Sequence, residues 1–376
     1  MAATVPAFFT EDAQAQLDDL LMLVCEELQL APTRYRLAVE RYGAVSRVLE
    51  SEGSPFRGIP LSIYPQGSMA LGTTVRPMDG PHDLDFVFEL GIPHQRIDPM
   101  ALLGMFYNFL KGHGTYSEMV SLKNRCVRIT YANDFYMDVL PSCKDLQLGG
   151  TCIQVPDREL ANWSPSNPTG YVKWFRDAST TLCLVEKAAQ PVPPQQPADK
   201  KLPLQLAVQL MKRWRDVFYP NPKEAPISIV LTTLAGRCYR GEVSPSAALS
   251  GAMARILAAI DAADLAGRRL VVLNPSNPHE DLSERWNDNP DAYLAFKAGM
   301  RQFSKDWGRV LSGGRETNRL LEELFGEPVK KAVVRQAQNL QEKRRANQLG
   351  VRSSGVITMA SAGATALRRN TFHGKT

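Results

Sequence analysis

Residues 61–90 read LSIYPQGSMALGTTVRPMDGPHDLDFVFEL. The stretch parses as a strand, a tight turn at Gly67-Ser68, a short helix, a loop and a second strand. That second strand carries Asp83 and Asp85. Side chains alternate faces along a strand, so these two carboxylates point the same way. Leu84 and Phe86 point the other way, into a core. Carboxylates held side by side repel unless a cation lies between them. A Gly-Ser turn that opens a helix offers free backbone N–H groups, which suit a phosphate. A phosphate cradle beside paired acids implies metal-assisted nucleotide chemistry.

A third acid comes from further along. Residues 126–131 (CVRITY) and 135–140 (FYMDVL) are apolar runs separated by Asn133-Asp134, the pattern of a hairpin. Asp138 sits among Met137, Val139 and Leu140. A buried carboxylate without a partner costs several kcal/mol or shifts its pKa. Taken alone, Asp138 reads as a satisfied structural acid; its case rests on Asp83 and Asp85. Antiparallel pairing is expected to bring it beside them on one sheet face. Three acids suffice to share two Mg²⁺ ions, with Mn²⁺ as a substitute, because these hard cations take oxygen ligands. Two such ions about 3.5–4 Å apart clamp the attacking and leaving oxygens of an in-line displacement. Phosphoryl transfer needs such positioning and charge neutralisation more than a covalent nucleophile.

Around this centre the remaining chain is mostly helical. Leu17, Leu20, Leu21, Val24 and Leu28 recur at helical spacing, and a second helix follows Pro32-Thr33. Asp98 and Pro99 are the N-cap and first residue of a helix over 98–111. Beyond Asn162 the pattern predicts helices over 169–187, 202–218, 227–240, 246–265 and 292–311, and a marginal basic one over 330–348. Residues 190–199, with four prolines, read as a stiff connection, and 273–278 (LNPSNP) as a rigid turn. The helix over 292–311 carries an aromatic stripe, Tyr293, Phe296, Met300, Phe303 and Trp307, read as core.

Motif by motif, the sequence resembles the DNA polymerase β-like nucleotidyltransferases: QGS, then D-L-D, then a later strand Asp. YPQGSMALGTTVRPMDGPHDLDFVFEL, MDVLPS, NWSPSNPTGYVKWF, LAVQLMKRWRD, ISIVLTTLAG and NPSNPHEDLSERW narrow this to a resemblance to the bacterial cGAS/DncV-like nucleotidyltransferases of CBASS anti-phage systems. It spans roughly residues 60–310, with a slightly long spacer of fourteen residues between Ser68 and Asp83. The resemblance implies an α+β, two-lobed nucleotidyltransferase core with a mixed sheet (residues 1–160), a helical C-terminal domain (161–328) and a basic tail (329–376). It implies that Asp83, Asp85 and Asp138 bind metal. Gln66, Gly67 and Ser68 then form the donor triphosphate turn, and Lys212 and Ser228 contact the donor phosphates. By their types alone, Lys212 is a solvated helix charge and Ser228 a cap. The implied activity joins NTPs, ATP among them, into a cyclic di- or trinucleotide messenger that acts on an effector. Some relatives end in a segment that a ubiquitin-transferase-like partner conjugates, and Thr371-Phe372-His373-Gly374 is similar to that ending, although Lys375-Thr376 follow. A linear nucleotidyltransferase acting on RNA or protein and a non-catalytic nucleotide-binding module are the alternatives.

Composition bounds these readings. Residues 329–376 hold ten Lys or Arg and one acid, so of the net charge of +5 they supply about +9 and leave the preceding body near −4. A broad nucleic-acid surface is not indicated. The six cysteines show no metal-type spacing and read as thiols in a reducing cytoplasm. No signal peptide is read at the N-terminus, and no apolar stretch of roughly 18 residues is expected to span a membrane.

Overall fold

The computed structural model describes residues 11–132, 134–180, 195–346, 348–351, 357–359 and 365–366. Two helices lead, α1 (Glu11–Glu27) and α2 (Pro32–Leu49). Then come β1 (Leu61–Pro65), α3 (Gly67–Leu71), β2 (His82–Pro93), α4 (Pro99–Gly112), β3 (Val120–Leu122), β4 (Val127–Tyr131), β5 (Phe135–Lys144), β6 (Ile153–Asp157) and β7 (Asn162–Ser166). The second lobe contains α5 (Pro168–Ser179), α6 (Pro203–Phe218), α7 (Ser228–Cys238), α8 (Pro245–Leu265), β8 (Leu273–Asn274), β9 (Asn277–Asp281), α9 (Arg285–Asp288), α10 (Pro290–Leu311), α11 (Thr317–Phe325) and α12 (Pro328–Arg345). Three short strands close the order: β10 (Leu349–Val351), β11 (Ile357–Met359) and β12 (Thr365–Ala366).

The mixed sheet runs β1-β2-β5-β4-β3, and β6 joins the far end of β5 and carries β7 on its outer edge. The period-2 pattern decides its faces. Leu84, Phe86, Phe88 and Leu90 of β2, Met137 and Val139 of β5, and Val127 and Ile129 of β4 all enter one buried cluster. That cluster is roofed by α2 and α4, with Phe56, Phe88 and Phe106 in mutual ring contact. Asp98 caps α4 as expected, its Oδ1 accepting from the Ala101 N–H at 2.8 Å, with Pro99 at the first turn. The opposite face of the sheet carries the acids and looks toward the helices.

A second cluster fills the helical lobe, with Trp214 stacked on Phe303 at 4.5 Å and 5°. The stripe Tyr293, Phe296, Phe303 and Trp307 lies in this core. Helix α1, although first in the chain, buries Leu17, Leu20, Leu21, Val24 and Leu28 here too. Arg335 of α12 ties to it by ion pairs with Glu26 and Glu27 at 2.7 and 2.8 Å.

Several expectations need correction. The strand bearing Asp138 pairs with β2 in parallel, not antiparallel. The turn read over 273–278 is the bend of a two-stranded ribbon that continues to Asp281, held by Asn274, which accepts from Ser276 N–H and donates to Glu280. In the region read as an unstructured tail, β11 and β12 pair with β10. Helix α8 is long and apolar enough to cross a membrane by length and composition. It instead buries Leu249, Met253, Ile256 and Ile260 in the helical core. Cys25, Cys126 and Cys143 are buried free thiols, and Cys152 and Cys238 are partly exposed. Asn133, the predicted helix beyond residue 180, Cys183 and the 371–374 ending lie outside the described residues.

Candidate active site

The acid face is built by strand register. In the parallel β2–β5 pair, Asp85 stands beside Asp138 and Asp83 beside Tyr136. Parallel neighbours at one register position share a face, so Asp83, Asp85 and Asp138 lie together. Asp83 sits at the mouth with its side chain 63% exposed, whereas that of Asp138 is 13% exposed. Burial, and then the charges of Asp138 and Asp83, push the Asp85 carboxyl up to about 7. Burial also raises Asp83, against the pull of Arg128.

The Gly67-Ser68 turn, the expected phosphate cradle, meets Asp85 directly. Gln66 donates its N–H to the Asp85 carbonyl at 2.8 Å, extending the β1–β2 ladder. Gly67 follows at φ +59°, a left-handed conformation that costs a side chain about 1–2 kcal/mol. A Cβ there would lie 2.6 Å from Asp85 Oδ2. Only glycine lets the turn close onto that carboxylate. Ser68 accepts a hydroxyl bond from Thr74 at 3.4 Å, and its carbonyl takes the Thr73 N–H at 3.0 Å.

Helix α6 of the other lobe grips the same turn. Gln205 donates to the Leu71 carbonyl at 2.9 Å, Gln209 to that of Thr74 at 2.7 Å and Arg213 to that of Arg76 at 3.0 Å. Lys212 Nζ donates to the Thr73 carbonyl at 3.2 Å and hydroxyl at 3.0 Å. Lys212 is buried, not a solvated charge. Desolvation lowers its pKa to about 7, with Arg215 adding to the effect and Asp216 and Asp85 opposing it. Ser228 opens α7 and accepts from Arg215, which also pairs with Asp216. The structure thus sets Gly67 against Asp85, joins Lys212 to Ser68 through Thr73, and links Ser228 to Arg215.

Two cations escaped the sequence reading. Arg215 projects its charge onto Asp83 and Lys212. Arg128 of β4 stands opposite Asp138 and pairs with it through Nε and NH2, both at 2.7 Å. The second was within reach. With the hairpin turn over 132–134, Tyr131 pairs with Phe135, and counting back sets Arg128 against Asp138.

Comparisons with known proteins bear on this geometry. Residues 15–178 match the Second Messenger Oligonucleotide or Dinucleotide Synthetase domain. A c-di-GMP synthase of Roseivirga ehrenbergii is 33% identical over 375 residues, covering 97% of this chain and 99% of that protein. The chain belongs to the cGAS/DncV-like nucleotidyltransferases. The cyclic dinucleotide synthase CdnG of Bradyrhizobium diazoefficiens is 28% identical, covering 92% of this chain and 89% of the relative. The structure of CdnG in complex with GTP superposes with a TM-score of 0.70 at 27% identity, over 86% of this chain and 99% of that one. Vibrio cholerae DncV in its GTP-bound form, 15% identical with a TM-score of 0.57 over 94% of this chain and 84% of that one, shares the fold.

Proposed function

We propose that this family member is a cyclic dinucleotide synthase that takes GTP. Full-length similarity to proteins named c-di-GMP synthase and CdnG supports that reading. The observation that carries it at the site is the parallel register that sets Asp85 beside Asp138, with the Gly67 turn closed onto Asp85.

The three acids suit a metal by their chemistry: hard oxygen donors on one sheet face, with the Asp85 carboxyl pushed up by burial and then by the charges of its two neighbours. Asp83, Asp85 and Asp138 would hold two Mg²⁺ ions, or Mn²⁺ in their place. Bound there, the ions would make a ribose hydroxyl a better nucleophile and neutralise the departing pyrophosphate. The chain's own groups then position the reactants. Gly67 and Ser68 present the turn to the donor triphosphate. Buried Lys212, whose pKa desolvation lowers to about 7, would gain its charge as the phosphates arrive, and Arg215 with Ser228 flanks it. Attack of one ribose hydroxyl on the α-phosphate of the second nucleotide forms a P–O bond and expels pyrophosphate. A second attack, after the linear intermediate reorients, closes the ring and releases a second pyrophosphate.

The product would act on an effector in anti-phage defence within the cytoplasm. A ubiquitin-transferase-like partner acting on the tail near Gly374 is a further expectation, checked by mass spectrometry for tail conjugates in cells. The central test is to incubate the purified chain with labelled NTPs and Mg²⁺ and to weigh the phosphatase-resistant product. A cyclic guanine dinucleotide is expected. Only linear, exonuclease-sensitive products would refute the reading.

A further inference from the structure

On the acid face Asp138 is already engaged by a cation of the chain itself, Arg128. Arg128 places a planar fork against Asp138, and each carboxylate oxygen accepts one N–H at 2.7 Å. Its NH2 also reaches Asp83 Oδ1 at 3.5 Å, and its guanidinium lies 4.6 Å from the centre of the Tyr136 ring. The pair is largely sheltered, with 24% of the Arg128 side chain exposed. Among the described residues, no three His, Cys, Asp or Glu side chains converge on one point that could hold an ion. Asp138 faces its arginine, and Asp85 is turned to Gly67.

We infer that Arg128 is a built-in competitor of the divalent cation at Asp138, displaced when the cation arrives together with a triphosphate. This rests on reading the three acids as the cation site. A cation arriving alone must break a bidentate, charge-assisted pair and leave a guanidinium without an anion. A cation arriving with a nucleotide supplies phosphate oxygens as a new partner. The stack on Tyr136, which pairs with Thr130 in the β4–β5 ladder and shares the face of Asp138, keeps the released guanidinium in the cleft. Apparent cation affinity without nucleotide is then reduced by the small fraction of molecules whose Asp138 is free. Cation and nucleotide bind cooperatively, and the device protects the enzyme from loading metal without substrate.

The test counts free Mn²⁺ by electron paramagnetic resonance, using the full chain with and without a non-hydrolysable GTP analogue. Arg128→Gln is expected to bind Mn²⁺ alone on the order of tenfold more tightly than wild type, the equivalent of one lost charge-assisted bond, and to lose nucleotide enhancement in proportion. Arg128→Lys, which keeps the charge but cannot fork, falls between. If both variants bind Mn²⁺ alone no tighter than wild type while Asp138→Asn weakens it, the competition is refuted and the acid site stands. If Asp138→Asn leaves Mn²⁺ binding unchanged, the reading of the acids falls instead. Should Arg128→Gln not fold, the arginine Nε–H resonances of the wild type decide. One of them should move on adding Mg²⁺ with the analogue and stay put with Mg²⁺ alone; the opposite pattern, or no movement, refutes the proposal.

Discussion

Replacing Gly67 with alanine tests the junction between the phosphate turn and the acids. Two costs are separable. The first is the backbone at φ +59°, about 1–2 kcal/mol for any Cβ-bearing residue. The second is contact, since the new Cβ would lie 2.6 Å from Asp85 Oδ2 and 3.4 Å from its Cγ. Real carbon–oxygen contacts are nearer 3.4 Å, so the carboxylate must retreat by most of an ångström, or the turn must open by as much. A misplacement of about 1 Å at reacting groups costs roughly 100-fold in rate. Gly80 supplies the control: it sits at φ +80° on an exposed loop with nothing within 4 Å of its would-be Cβ. Gly80→Ala carries the first cost without the second. Both variants should lower the urea unfolding free energy by about 1–2 kcal/mol. Only Gly67→Ala should lose about 100-fold or more in cyclic dinucleotide formation, read by mass spectrometry from NTP and Mg²⁺. Equal turnover in the two variants would refute the argument that the turn is built against Asp85.

Three further outcomes follow from the same contacts. Asp138→Asn should abolish product and also destabilise the apo protein by about 1–3 kcal/mol in urea, because a sheltered Arg128 loses its charged partner; full activity would sink the assignment of Asp138. Lys212, lowered to about 7, is largely neutral at pH 8 in the free protein, and a bound triphosphate favours its charged form. Calorimetry at pH 8 in buffers of different ionisation enthalpy should therefore show net proton uptake on binding a non-hydrolysable NTP, absent in Lys212→Met. No uptake in the wild type would place the phosphates away from Lys212. Phe303→Ala, which removes the ring stacked on Trp214 at 4.5 Å, should cost about 3–5 kcal/mol in unfolding free energy, and a loss below 1 kcal/mol would contradict the packing described.

Local pattern made the acid strand legible. Asp83 and Asp85 alternate with Leu84 and Phe86, and the alternation carries its own face assignment. The β4–β5 hairpin was legible because its turn is short. The neighbour of β2 was not, since β2 and β5 are joined through α4, β3 and β4, and nothing local distinguishes parallel from antiparallel adjacency across such a gap. The outermost pair, β6 and β7, was hidden by prolines. Pro156 of β6 and Pro165 of β7 interrupt any strand pattern, yet proline is accommodated on edge strands, and among the described residues β7 pairs with β6 alone. The burial of Lys212 was also illegible. The run Lys212-Arg213-Trp214-Arg215 suggests a solvated turn of helix, and only the docking of α6 onto the 71–76 segment draws the amine inside.

That docking explains why a helix of the second lobe belongs to a site whose acids all come from the first. Gln205, Gln209, Lys212 and Arg213 recur at spacings of three or four and so share one side of α6. Together they fasten the carbonyls of Leu71, Thr73, Thr74 and Arg76. These carbonyls follow immediately on the Gly67-Ser68 turn, and a turn so short cannot shift without carrying them. The position of the phosphate turn is therefore set from both sides, by the Asp85 carbonyl through Gln66 and by α6 through the segment after it. The amine that would meet the phosphates is one of the fasteners. A triphosphate drawing Lys212 toward itself must loosen two bonds to Thr73, so nucleotide binding and the seating of one lobe on the other are a single equilibrium rather than two.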